Sequence, residues 1–284
     1  MPGKFRILIF GDSFTAGDGV SNRARFSDVL ETLVPDVEVY NFGLPGSGTD
    51  QQYLVWREIG RHYEHDLVIL AIQVENIRRV VARYRVYRSQ TGEARLLPKP
   101  YFVRESSGSL RLHGVPVPED PIDPNRLPTS QRRYVDRGGS LFWLRRLVER
   151  LGGKTKSFIQ RVSRHNPLPA YRNARGHDWL LLKAILNQWI SEISTPVLIM
   201  PIPLYQFVEE LSDATHYQSR FAELHSPPRV IVHDPLPDLL TYSREARRAF
   251  RFERDVHPTV AGHRALAQSL ASRIAALKSA LQEA

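Results

Sequence analysis

The sequence predicts an α/β protein, a three-layer sandwich around a parallel sheet, and three observations predict it. Five short, largely apolar runs read as buried strands: Arg6–Phe10, Val37–Phe42, Leu67–Ile72, Val197–Ile202 and Arg229–His233. Helical spacing of apolar residues recurs between and after these runs. A long stretch from Arg78 to Arg175 interrupts the alternation with a different composition. Strands that are apolar on both faces need cover on both sides, which a parallel sheet between two helical layers supplies. Right-handed crossovers then distribute the helices over the two faces.

Taken in order, the first strand is followed by Phe26, Val29, Leu30 and Leu33, spaced i, i+3, i+4 and i+7 on one helical face. After the interrupting stretch, Trp179 to Ile193 reads as a second apolar-striped helix and Phe207 to Leu224 as a third. The last helix, Val260 to Leu281, lines Leu266, Leu270, Ile274, Leu277 and Leu281 along one stripe. In such sheets reactive groups collect outside the carboxyl ends of the strands. The loops that leave those ends are therefore where chemistry is expected.

The 284 residues fit one large domain, or a core carrying an insertion. A composition of 42% hydrophobic and 24% charged residues excludes a mainly disordered or collagen-like chain. No apolar run approaches the roughly 20 residues of a membrane-spanning helix. Without cysteine there is no disulfide, thiolate metal site or Cys nucleophile. The first residues enter a strand without an apolar leader, so a cytoplasmic protein is expected.

Charge divides the chain. Arg78 to Arg175 holds 22 Lys and Arg against 7 Asp and Glu, a net of +15, while the remainder carries −6 of the overall +9. This basic segment is also rich in proline and glycine, which favours loops and short hairpins. One helical piece stands out within it, Ser140 to Leu151, with Leu141, Leu144, Leu147, Val148 and Leu151 at spacings of three and four. The expected organisation is a core of residues 1–77 and 176–284, with 78–175 as a basic insertion that forms a lid or side subdomain.

The first strand runs into Gly11-Asp12-Ser13-Phe14-Thr15-Ala16-Gly17. Glycines around a serine at a strand's carboxyl end permit a tight turn that presents the hydroxyl above the sheet. At the far end of the chain, Asp255-Val256-His257 precedes the last helix. A serine nucleophile needs a base near neutrality and an anion to orient the imidazole. Side chains two apart on an extended segment point the same way, so Asp255 and His257 can supply both. Taken singly, each residue has a plainer reading: Ser13 as a turn residue, Asp255 as a helix cap, His257 as a surface histidine. Together they point to acyl transfer. Asp12 is read as a loop-bonding residue and His263 as a packing histidine. The remaining histidines lack metal-ligand spacing, so no metal is expected, and no nucleotide loop or other cofactor motif occurs.

These residues carry a family resemblance. Ile9 to Thr15 and Asp255 to His263 resemble the first and last conserved blocks of the SGNH (GDSL-type) serine hydrolases, a superfamily of esterases, and Asn41 to Gly48 is similar to the second. The resemblance implies a five-stranded flavodoxin-like sheet of order 2-1-3-4-5, with Ser13 as nucleophile, His257 as base and Asp255 as the orienting carboxylate. It also implies an oxyanion hole made by the backbone N–H groups of Ser13 and Gly46 and an asparagine side chain after strand three. There the chain departs from the family pattern. Strict alignment of Gln73-Val74-Glu75-Asn76 puts Glu75 at the asparagine position, and an ionised carboxylate would repel an oxyanion. A one-residue bulge would instead bring in Asn76 or Gln73, and Asn76 is the preferred candidate.

The resemblance implies a serine esterase removing or transferring O-acyl groups through an acyl-enzyme. Lys99 to Phe102 and Val115 to Pro118 are similar to features of bacterial members linked to polysaccharide or lipid-glycan metabolism, so an O-acetyl ester of a bacterial carbohydrate or glycolipid is the expected substrate. Hydrolysis and transfer both fit, since they share the acyl-enzyme. The basic insertion would hold an anionic glycan, a phosphate-bearing lipid or an acidic membrane surface, or be a solvated face. Nucleic acid is not expected, since no nucleic-acid module occurs. The alternative function is a catalytically weakened relative that binds an anionic glycan or lipid without turnover.

Overall fold

β-branched and leucine-rich runs pair side by side because each buries apolar side chains on both faces. The computed structural model describes residues 3–88, 93–135, 166–253 and 255–283. Its first three strands are β1 (Phe5–Gly11), β2 (Val37–Gly43) and β3 (Leu67–Gln73). Two hairpins come next, β4 (Tyr84–Arg88) with β5 (Ala94–Pro98) and β6 (Tyr101–Arg104) with β7 (Leu110–His113). β8 (Val197–Ile202) and β9 (Val230–Val232) complete a five-stranded sheet of order β2-β1-β3-β8-β9, parallel throughout. With its strands counted in chain order this is 2-1-3-4-5. Every residue of β3 and β8 is buried, as central strands require.

The helices are α1 (Ser13–Ala16), α2 (Phe26–Leu33), α3 (Thr49–Glu58), α4 (Asn76–Arg79), α5 (Thr129–Val135), α6 (His177–Glu192), α7 (Tyr205–Val208), α8 (Thr215–Ala222), α9 (Leu236–Leu240), α10 (Arg244–Arg248) and α11 (Val260–Gln282). The crossover from β1 to β2 runs one way along the sheet and that from β2 to β3 the other, so right-handedness sends α2 and α3 to opposite faces. α11 packs on α2, and α6 on α3. Phe10 knits the core, stacking on Phe42 at 4.9 Å and meeting Trp56 and Trp189 edge-on at 5.8 and 5.4 Å.

The Phe26, Trp179 and Val260 patterns form α2, α6 and α11 as read from the sequence. The single helix expected over Phe207–Leu224 is instead split between α7 and α8. Glu210 takes the left-handed conformation, φ 55°, and Asp213 turns the chain ahead of the new start, its Oδ1 accepting from the Thr215 amide at 2.9 Å and hydroxyl at 2.6 Å. α3 was not anticipated, because Thr49, Asp50 and Gln52 share its buried side with Tyr53 and Trp56 and blur the apolar period. The helix read over Ser140–Leu151 lies outside the described residues.

Described residues of the basic 78–175 stretch contact the body. Lys99, between the hairpins, forms a buried ion pair with Asp50 of α3 and donates to the Pro100 carbonyl at 3.2 Å. Phe102 meets Tyr53 at 5.5 Å, and within the stretch Gln131 of α5 accepts from the Arg83 amide at 2.8 Å.

Register sets the site. Gly11 pairs with Gly43 on one side and Ala71 on the other, so the loops after β1 and β2 leave the sheet at one level, while β3 runs two residues further to Gln73. The Leu44 amide donates to the Gly11 carbonyl at 2.9 Å, and Asn41 Nδ2 to the Thr15 carbonyl at 2.7 Å, joining the first two loops.

Candidate active site

Asp12 ends the strand and caps α1. Its Oδ1 accepts from the Phe14 amide at 3.0 Å and its carbonyl from the amides of Thr15 and Ala16 at 3.0 and 2.9 Å. Ser13 therefore sits at the first position of a single helical turn, against the carboxyl edge of the sheet. From the other end of the chain, the segment before α11 is fixed by its backbone. The Thr259 amide donates to the Phe250 carbonyl at 2.9 Å, the Phe252 amide to the His257 carbonyl at 3.2 Å, and Thr259 Oγ1 to the Ala249 carbonyl at 2.6 Å. Thr259, not Asp255, caps the helix.

That loop brings His257 Nε2 to 2.8 Å from Ser13 Oγ, while His257 Nδ1 lies 2.8 Å from Asp255 Oδ1. The bonds fit one tautomer: Nδ1–H donates to the carboxylate, leaving Nε2 to accept from the serine hydroxyl. Asp255 Oδ1 also accepts from the amides of Val256 at 2.6 Å and His257 at 3.3 Å. Partial burial would raise the Asp255 carboxyl, but the His257 hydrogen bond and charge and the two amides together hold it below the usual range. The Phe14 ring lies 5.3 Å from the imidazole and covers one side of it.

The other groups expected from the sequence sit on the segments that follow β1, β2 and β3. Gly46 has φ +76°, a left-handed conformation that favours glycine. The Ser13 and Gly46 amides donate to no acceptor among the described residues. Asn76 opens α4 fully buried, and neither its Oδ1 nor its Nδ2 has a partner among them. Buried amides are ordinarily bonded, so this one is conspicuous. Gln73 Oε1 accepts from the Glu75 amide at 2.9 Å, turning the chain after β3, and its buried Nε2 is also without a partner among the described residues. The Glu75 carboxylate is engaged elsewhere, 3.4 Å from Arg78 Nη1 and 4.0 Å from Arg79 Nη2.

Sequence reasoning missed two basic residues here. Arg79 Nη1 donates to Asp12 Oδ2 at 2.8 Å and to the Ser47 carbonyl at 2.9 Å. Asp12 is fully buried; burial raises its carboxyl, opposed chiefly by the Arg79 charge. Arg85 of β4 lies over Gly46, where a Cβ would come within 3.1 Å of its guanidinium. Solvated charge is the ordinary reading of arginine in a basic stretch, so only the fold marks these two. An apolar cavity of about 50 Å³ adjoins the triad, lined by Phe14, Pro203, Val208, Val256, Pro258 and Leu266 among others. His263 is a packing residue: its Nδ1 accepts from the Phe26 amide at 3.2 Å, and burial, with the charges of Arg25 and His257, lowers it to about 4. No cluster of metal-ligating side chains occurs among the described residues.

No family model matches the chain, and no curated protein matches it. Among solved structures it is similar to a lipolytic protein of the G-D-S-L family from Veillonella parvula, at 15% identity over 94% of this chain and 97% of that one, TM-score 0.46. A lipase/acylhydrolase from Enterococcus faecalis matches at 14% identity over 96% of each chain, TM-score 0.49. A lipase from a goat rumen metagenome matches at 14% identity over 96% and 97%, TM-score 0.47.

Proposed function

We propose that this chain is a serine ester hydrolase of the GDSL (SGNH) type. The observation that carries the reading is the unbroken path from Ser13 Oγ through the His257 ring to Asp255, with both contacts at 2.8 Å. In this reading His257 Nε2 removes the hydroxyl proton as Ser13 Oγ attacks the ester carbonyl, and Asp255 steadies the imidazolium that forms. The carbonyl electron pair moves to the oxygen, which the Ser13 and Gly46 amides and Asn76 Nδ2 receive. Collapse expels the alcohol, protonated by His257, and leaves an acyl-enzyme. Water, deprotonated by the same imidazole, releases the acid and restores Ser13.

Two features support an O-acyl ester of an anionic carbohydrate or glycolipid as the substrate. The apolar pocket bordered by Phe14 and Val256 gives the acyl group an apolar surface to lie against. The Arg85 guanidinium over Gly46 puts positive charge at the mouth of the oxyanion loop. Glu75 lies against Arg78 and Arg79 rather than opposing the oxyanion, which favours turnover over mere binding.

Labelling with a fluorophosphonate probe tests the reading. The wild type is expected to label, Ser13→Ala to stay unlabelled, and His257→Ala to label far more slowly. A properly folded wild type that resists the probe overturns the proposal.

A further inference from the structure

Three backbone segments would supply the oxyanion donors, and one side chain projecting from the third bonds the other two. We infer that Arg79 is a positioning residue of the proposed reaction, fixing the separation between the nucleophile turn and the oxyanion loop. The inference rests on the esterase reading. Its basis is a pair of hydrogen bonds donated by one nitrogen, Nη1, at 2.8 Å to the carboxylate preceding Ser13 and at 2.9 Å to the carbonyl following Gly46. The third segment is its own helix: Arg79 lies three residues beyond Asn76 on α4, the two being one turn apart.

The surroundings hold the guanidinium in place. Its side chain is only 14% exposed, and the Asp12 carboxylate is wholly buried. The aliphatic stem packs against the loop after β2, since a Cβ on Gly48 would lie 3.0 Å from Arg79 Cβ. Nη2 faces Glu75 at 4.0 Å, so the cation is bracketed by two carboxylates and a carbonyl. Arg79 touches neither Ser13 nor His257; it acts through Asp12 and Ser47. A planar fork suits that task, because its donors keep fixed directions while bonding two acceptors on separate loops.

A merely structural ion pair would also be damaged by mutation, since losing one partner orphans a buried charge. The test therefore removes both charges. Arg79→Met, Arg79→Lys, Asp12→Asn and the double variant Asp12→Asn/Arg79→Met are compared with wild type for thermal unfolding, fluorophosphonate labelling rate, and kcat and KM on p-nitrophenyl acetate. Arg79→Met is expected to lower kcat and the labelling rate by about 10²-fold, the scale set by an ångström of misplacement, with KM nearly unchanged. The double variant is expected to regain wild-type Tm but not kcat, and Arg79→Lys to recover part of the rate. Recovery of both Tm and kcat in the double variant would overturn the inference, as would an Arg79→Met rate within about threefold of wild type. A wild type that does not label would overturn the esterase reading itself, which keeps the two failures apart.

Discussion

Truncating Asn76 to Ala is expected to separate activity from stability, and the structure sets both magnitudes. The side chain is fully buried and neither polar atom has a partner among the described residues, so truncation removes no hydrogen bond from the folded state. A buried amide left unbonded is itself unfavourable by about 1–3 kcal/mol, and relieving it offsets the packing lost with the side-chain amide. Unfolding free energy is therefore expected to hold or rise slightly. The transition state is affected differently. If Nδ2 donates to the oxyanion, its loss costs about 2.7–4 kcal/mol, or 10²- to 10³-fold in kcat. KM should barely move, because the interaction forms mainly as charge develops on the oxygen. Asn76→Asp matches the size and replaces donor by acceptor, so it should be at least as slow. The assay is steady-state hydrolysis of p-nitrophenyl acetate with the fluorophosphonate labelling rate, read beside a urea unfolding curve for each variant. An Asn76→Ala enzyme with kcat within about threefold of wild type would refute the reasoning, and so would one that unfolds in step with its loss of rate.

Three further outcomes are expected on the same structural grounds. Glu75→Gln should leave kcat within about threefold of wild type, because the carboxylate faces Arg78 and Arg79; a 10²-fold loss in the same assay would give Glu75 a direct part. Lys99→Met should destabilise by about 3–5 kcal/mol in urea by orphaning buried Asp50, and Asp50→Asn added to it should recover most of that; no recovery would show that packing, not charge, dominates. His263 is lowered to about 4 in the folded state, so the unfolded chain binds the proton first as pH falls below about 6.5. Stability should be unaffected above that pH and drop by about 3 kcal/mol by pH 4 from this residue, a decline that His263→Asn, which keeps an acceptor for the Phe26 amide, should remove. Parallel pH–stability curves for the two proteins would contradict it.

How much of the molecule was legible in the sequence depends on how locally each feature is encoded. Leu67–Ile72 and Val197–Ile202 were readable as central strands because both faces are covered, leaving no polar residue to confuse the run. α3 was not, because Asp50 is buried only by virtue of Lys99, a partner 49 residues away. The contact of Ser13 with the Asp255–His257 pair was legible because each lies in a short local pattern. The side chain proposed to meet the oxyanion was legible only as a choice among Gln73, Glu75 and Asn76. The turn after β3 depends on Gln73 Oε1 bonding the Glu75 amide, and the fate of the Glu75 carboxylate depends on arginines one turn further on. Arg79 and Arg85 were invisible as site residues, since nothing local distinguishes a half-buried arginine from a solvated one.

In the proposed site, the bonds that hold the loops together are separate from the groups proposed to react. Asp255 is 56% exposed, and an ion pair at such exposure contributes little to folding. The His257 loop is fixed instead by backbone bonds to Phe250 and Phe252 and by Thr259 Oγ1 on the Ala249 carbonyl. Asp255 is thereby left to set the tautomer and orientation of an imidazole whose position is already determined. Asp12 is the converse case: fully buried, paired with Arg79, and bonded to the first turn of α1, it is committed to geometry and cannot serve as a base. Two aspartates serve the same serine, one as its chain neighbour and one through His257, and burial divides their labour. The shallow one can respond as charge forms on His257, while the deep one holds still the turn on which the proposed reaction depends.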